Sequence, residues 1–257
     1  LHFFSFPAVA VMIEVGLVSV RGYSFTNEKR MKREIAVTHV FVAGASRRVG
    51  FETVKALRSK NYEVTCFFRN TDDREAVEAT GARAVIVDAF DAAAVATAVT
   101  DAGPLDALIC TLGGKPGDEP RIDHIGAKNC VDAAKAADVS RFLFVTAIGC
   151  GDTWDALEEK AQKFLGPSLA AKNLAEADVF ASGLNYTVLR PGALLDDPPT
   201  GDGFVTQDNK VLGAVTRADV AAQLVRCLES ERAIGQVYQV LDRSKMRTET
   251  PYEESHM

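Results

Sequence analysis

The segment Gly44-Ala45-Ser46-Arg47-Arg48-Val49-Gly50 carries the most specific chemistry in this 257-residue chain. A short apolar run, Val40-Phe41-Val42-Ala43, leads straight into it, and a helical pattern from Phe51 to Ser59 follows. In that setting Gly44 permits a tight turn, and Gly50 lets helix and strand pack closely. The helix start then points free N–H groups and positive dipole at an anion, an arrangement suited to the diphosphate of a dinucleotide. Ser46 and Val49 complete the loop that would line the phosphates. The middle glycine of such loops is missing, and Arg47 or Arg48 stands there instead. A side chain at this point either obstructs the approach of backbone to diphosphate or swings outward to fork onto phosphate oxygens.

Arg69 stands nineteen residues after Gly50, at the end of the next apolar run. An Asp or Glu near this point accepts from a ribose 2′-hydroxyl, whereas Arg suits a 2′-phosphate. Two or three arginines on one edge favour NADPH over NADH; the alternative for Arg69 is a solvated surface charge. Asp88, closing the third apolar run, is placed either at the adenine end or as a plain turn residue.

The elements that must position these residues alternate along the chain. Strands are expected at 40–43, 64–68, 84–87, 107–111, 142–147, 186–189 and 236–241. Helices are expected at 51–59, 73–80, 92–100, 122–137, in a long region after Trp154 interrupted at Gly166-Pro167, and at 220–228 capped by Thr216. Strands apolar on both faces and alternating with helices imply an α/β doubly wound parallel sheet, a Rossmann fold. After Pro191 the rhythm breaks, and residues 204–211 read as a small hairpin around Asp208-Asn209 in a small C-terminal substrate-side lobe. The domain is expected over 37–243, with 1–36 as a leader or irregular extension and 244–257 as a tail. Ser255-His256-Met257 resembles vector-derived residues and carries no expectation for the fold.

Composition narrows the function classes. The formal charge of −6 argues against a nucleic-acid surface, which needs clustered cations. Cys66, Cys110, Cys130, Cys150 and Cys227 form no Cys-x-x-Cys pair and no zinc spacing with His, so no metal site is expected. Cys66 and Cys110 lie in apolar runs and read as small buried hydrophobes, in keeping with a reducing compartment. The apolar stretch from Phe3 to Val20 is broken by Glu14, which argues against a membrane span. It leaves open an organelle-targeting leader, a signal-like segment or translated upstream sequence, with Met31 as a sensible start. Localisation is accordingly cytoplasmic, or plastid or mitochondrion if residues 1–30 are a leader.

Beyond the phosphate loop, several stretches resemble the atypical short-chain dehydrogenase/reductase family, in its NmrA-like and biliverdin-reductase-B-like branch. They are Cys110-Thr111-Leu112-Gly113-Gly114, the run 129–134, Arg141 to Asp152, Ser182 to Gly192 and Arg217-Ala218-Asp219-Val220. The resemblance implies that Thr111, Leu112 and Gly113 lie against the cofactor's ribose and diphosphate, and that Pro191 and Gly192 meet the nicotinamide carboxamide through backbone groups. It places Thr146 where the family has its active-site serine, and Lys172, followed by Ala175-Glu176, at the lysine that binds nicotinamide ribose hydroxyls. Thr146 and Lys172 are thus the candidate catalytic residues; a strand-end cap and a solvated helix lysine are the plainer readings. The family's tyrosine acid is absent: Ser168 stands four residues before Lys172. A serine hydroxyl is far less acidic than a phenol, whose pKa is about 10, and cannot serve as the same proton donor.

Three functions fit these residues. One is an NADPH-dependent reductase of a small conjugated acceptor (quinone, flavin or tetrapyrrole), which takes a hydride and then a solvent proton. The second is a non-catalytic NADP(H)-binding redox sensor or assembly factor, its protein partner meeting the Asp196 to Val215 region. The third, an isomerase or dehydratase, has no carboxylate pair in its support; His124 opens a helix near the site but also reads as a surface residue. Trp154 and Phe164 either line the substrate pocket or pack under its loop.

Overall fold

The computed structural model describes residues 38–115, 117–248 and 251–257, so the leader expected over 1–36 lies outside the described residues. The apolar runs form the strands β1 (His39–Ala43), β2 (Glu63–Phe68), β3 (Arg83–Ile86), β4 (Ala107–Cys110), β5 (Arg141–Val145) and β6 (Tyr186–Pro191). They are joined by α1 (Arg48–Ser59), α2 (Arg74–Glu78), α3 (Ala92–Asp101), α4 (Ile122–Ala136) and α5 (Glu159–Ala181). The remainder contributes β7 (Ala193–Leu195), β8 (Gly203–Thr206), β9 (Ala214–Thr216), α6 (Arg217–Glu229) and β10 (Gln236–Asp242).

The main sheet runs β3-β2-β1-β4-β5-β6-β10-β8, parallel throughout except for β8. Strand order reverses between β1 and β4, so the loops after these two strands diverge and open a crevice at their carboxyl ends. This is the doubly wound α/β sheet expected from the alternation of elements. Strand residues point alternately to two faces. Phe41, Phe67, Phe142 and Phe144 are fully buried in a cluster with Val99, Val131 and Val179 of α3, α4 and α5. Val40 and Val42 point the other way, and α1 and α6 pack together there, burying Leu57 and Leu224. Each such large side chain contributes about 1.5–3 kcal/mol, which fixes the frame on which the loops stand.

Two expectations need correction. The long helix does not break at Gly166-Pro167; α5 runs through Pro167. The ring is exposed, and burial of Leu169, Ala171, Ala175 and Val179 holds the helix on the sheet. Residues 204–211 do not pair as a hairpin: β8 is buried along its whole length and adds antiparallel to β10, Val205 opposite Val240. The small lobe is instead built on the ribbon of β7 and β9. Within 244–257, Tyr252 stacks on Phe204 and the Ser255 N–H donates to the Val205 carbonyl.

All five cysteines are free and buried, and burial pushes the Cys66 thiol up to about 12. Among the described residues no cluster suits a metal ion, and no helix is long and apolar enough to cross a membrane.

Candidate functional site

Gly44 takes φ +85°, a left-handed turn that lets its N–H and that of Ala45 donate to the Phe67 carbonyl. The chain thereby folds back over the end of β2 before entering α1. A Cβ on Gly50 would fall 2.2 Å from the Gly44 carbonyl oxygen and 2.6 Å from Thr111 Oγ1. Only glycine fits there without a shift of backbone. The Thr111 hydroxyl donates to the Ala43 carbonyl at 2.9 Å, which ties the loop after β4 to that after β1 across the crevice.

Arg48 sits at φ +55°, a conformation that costs a side-chain-bearing residue about 1–2 kcal/mol. Strain of this kind persists where the surroundings over-determine it; here the Gly44–Gly50 contact on either side does so. Among the described residues the N–H groups of Ser46, Arg47, Arg48, Val49 and Gly50 have no acceptor. Ser46 is half-buried and Val49 buried. Arg47, Arg48 and Arg69 are all exposed, and none pairs with a carboxylate among the described residues. Free amides at a helix start beside three free guanidinium groups suit a diphosphate and one further phosphate. Asp88 is exposed, and its Oδ1 accepts from the Phe90 N–H at 3.0 Å, which occupies part of that carboxylate in its own turn.

The other half of the crevice is built by α4 and α5. Ser168, Lys172 and Glu176 lie four residues apart and therefore on one helix face. The Lys172 ammonium stands 3.1 Å from Asp123 Oδ1, and the Ser168 hydroxyl donates to the same oxygen at 3.3 Å. Asp123 Oδ2 accepts from Arg121 at 2.7 Å and from the Gly114 N–H at 3.1 Å. Burial alone would raise the Asp123 carboxyl; Lys172, the Gly114 amide and Arg121 together hold it below the usual carboxylate range. A Cβ on Gly113 would lie 3.8 Å from both Asp123 Oδ1 and Lys172 Nζ, so the loop Thr111-Leu112-Gly113 runs beside the lysine. Leu112, half-buried, packs against Gly44.

Thr146, directly after β5, is buried, and its hydroxyl donates to Glu176 Oε1 at 2.7 Å. Pro191 ends β6, and its carbonyl accepts from the Ile148 N–H at 2.9 Å. The Gly192 N–H donates to the Val240 carbonyl at 3.0 Å, so that N–H is spent inside the sheet.

The residues expected at the site fall at the carboxyl edge of the sheet: in the loops after β1 to β6, in the first turn of α1, at the end of β6 or, for Lys172, on α5. His124 does not join them: its Nε2 lies 3.0 Å from Asp178. Trp154 and Phe164 are exposed rather than core. Asp123, Arg121, Arg190 and Asp152 join the site without having been expected there, and Glu176 was expected only as a neighbour of Lys172 in its motif. The signal was present for Arg190, a charge closing an otherwise apolar strand, which demands a buried carboxylate.

Residues 44–231 match the protein family described as NAD(P)H-binding. The chain is 32% identical to the structure of the anaerobilin reductase ChuY of Escherichia coli O157:H7, with a TM-score of 0.74, covering 83% of this chain and 100% of that one. It is 31% identical over 240 residues to an uncharacterized chloroplastic protein of Arabidopsis thaliana, 86% of this chain and 84% of that protein. It is 28% identical over 208 residues to the uncharacterized sugar epimerase YhfK of Bacillus subtilis, 79% of this chain and 94% of that protein.

Proposed function

Since the chain belongs to the NAD(P)H-binding, NmrA-like branch of the atypical short-chain dehydrogenase/reductase family, we propose that it is an NADPH-dependent reductase of a conjugated small-molecule acceptor. A quinone, a flavin or a linear tetrapyrrole would suit. The observation that carries this reading is Lys172, held by a buried carboxylate where the family's tyrosine is replaced by Ser168. The tyrosine's work is proton donation to a carbonyl oxygen; a conjugated acceptor spreads the incoming charge and can take its proton from water.

When bound, the nicotinamide supplies hydride. The chain's own residues bind, orient and polarise. The free amides of 46–50 would hold the diphosphate, and Arg47, Arg48 and Arg69 would grip the 2′-phosphate, which would favour NADPH. Asp88 would meet the adenine end. Thr111, Leu112 and Gly113 would line the ribose, backbone groups of Pro191 and Gly192 would meet the carboxamide, and Lys172 would polarise the acceptor or order a water. A neighbour named for anaerobilin supports a tetrapyrrole-like acceptor. A relative named as chloroplastic supports the reading of residues 1–30 as a plastid leader.

A second reading, a non-catalytic NADPH-binding sensor or assembly factor, is favoured by the same serine at position 168. Turnover separates the two. Purified protein is titrated with NADPH and then assayed for NADPH oxidation with menadione, FMN and biliverdin. The reductase reading expects stoichiometric binding and turnover of at least one acceptor; binding without any turnover would leave the sensor.

A further inference from the structure

A buried chain of charges runs behind Thr146. Arg190 donates from Nε to Glu176 Oε1 at 3.0 Å and from Nη2 to Oε2 at 2.7 Å. Its Nη1 donates to Asp152 Oδ1 at 2.6 Å. The Arg190 and Glu176 side chains are 5% and 3% exposed. The Asp152 carboxylate reaches the surface, where Asn209 of the substrate-side lobe donates to it at 3.3 Å. Burial would raise the Asp152 carboxyl, but its bonds from Arg190 and Asn209 hold it below the usual range. A guanidinium forked onto one carboxylate is rigid and specific in direction.

This arrangement fixes the sense of a hydrogen bond. A threonine hydroxyl has one proton and two lone pairs. The Thr146 proton lies on Glu176 Oε1, so only lone pairs remain for anything in the crevice. Two carboxylates share one guanidinium behind it, and an oxygen gaining electron density meets no proton donor at Thr146. Lys172 is the opposite case: three N–H donors, of which one meets Asp123 Oδ1. Resting on the reading of the crevice given above, we propose that Glu176 is a positioning residue: by taking the Thr146 proton it makes Thr146 a hydrogen-bond acceptor toward bound ligand and leaves donation to the Lys172 ammonium. Thr146 then orients a ligand N–H, a ribose hydroxyl or an ordered water, and the developing charge on the acceptor is met from α5.

The first test needs no ligand. A threonine hydroxyl proton donated to a buried carboxylate exchanges slowly enough to be seen by proton NMR of the whole chain. A downfield, slowly exchanging hydroxyl signal is expected, absent in Thr146→Val and retained in Thr146→Ser. In Glu176→Gln it moves upfield or exchanges faster, because a neutral amide accepts more weakly than a carboxylate. A Thr146 hydroxyl that exchanges as fast as exposed threonines in the folded protein overturns the proposal, as does a signal unmoved in Glu176→Gln.

The second test uses NADPH and whichever of menadione, FMN or biliverdin turns over. Lys172→Met should lose at least ~100-fold in kcat, the scale of a removed charge-stabilising donor. Thr146→Val should lose less than ~10-fold, below that scale, with the change mainly in KM. Equal kcat losses in the two variants contradict the assignment of donor and acceptor. If no acceptor turns over, the reductase reading fails, and the NMR result alone decides the direction of the Thr146 bond.

Discussion

Lys172 and Asp123 stand 3.1 Å apart on the same side of the crevice, lysine on α5 and carboxylate on α4. Asp123 is 1% exposed and also takes Arg121 at 2.7 Å, so two cations depend on one buried carboxylate. Removing one member of a buried ion pair leaves an uncompensated charge and costs about 3–5 kcal/mol. Asp123→Asn should lower stability on that scale, read from the urea midpoint, and should slacken the loop of Gly113 and Gly114. A loss below about 1 kcal/mol, the scale of an exposed pair, would mean that the pair contributes little.

The same carboxylate gives a pH dependence with a definite sign. Its folded pKa is held down. Its contribution is therefore complete above the unfolded value of about 3.9 and is lost as pH falls through the folded value. Calorimetric midpoints should fall below about pH 4 in the wild type, and less steeply in Asp123→Asn. Identical slopes in the two proteins would assign acid sensitivity to other carboxylates.

Gly50 offers a steric prediction. Because its Cβ would lie 2.2 Å from the Gly44 carbonyl, Gly50→Ala must push α1 away from β1. Overpacking of this kind costs about 1–3 kcal/mol. It also displaces the free amides, so NADPH affinity should drop at least ~10-fold, about 1.4 kcal/mol. Gly103, whose added Cβ meets nothing within 4 Å, serves as a distant control, although its φ of +86° keeps some strain in any substitution.

Arg141 is 1% exposed on β5, and its guanidinium donates to the Asn185 carbonyl, the Thr187 hydroxyl and the Cys227 carbonyl. It faces neutral oxygens, and burial lowers its pKa from the usual arginine value. Its role is to close β5, β6 and α6 together. Arg141→Ala strands several buried acceptors, at about 1–3 kcal/mol each, and opens a cavity. A loss of at least about 3 kcal/mol is expected from denaturant unfolding, with NADPH affinity per folded molecule unchanged.

The sheet was legible because its strands are apolar on both faces and its helices close on glycine or small polar residues. The phosphate loop was legible for the same local reason: Gly44 and Gly50 sit between a strand and a helix. What escaped the sequence is long-range. Pro167 reads as a stop, yet α5 passes through it because packing further along the helix outweighs one lost backbone bond. Phe204 to Thr206 looks like half a hairpin but pairs with a strand over thirty residues later. Asp123, Glu176 and Arg190 belong to three different elements, and no spacing rule joins them.

Everything proposed for the crevice depends on a dinucleotide gripped by the loop 44–50, with its 2′-phosphate held by Arg69 and the neighbouring arginines. Titration of the wild type and Arg69→Ala with NADPH and with NADH tests it most directly. The wild type should bind NADPH more tightly than NADH, and Arg69→Ala should weaken NADPH by ~10-fold or more, the worth of one charge-assisted pair, while changing NADH by less than ~2-fold. Equal losses for both nucleotides would contradict the phosphate role, and no binding of either at millimolar concentration would contradict the whole account.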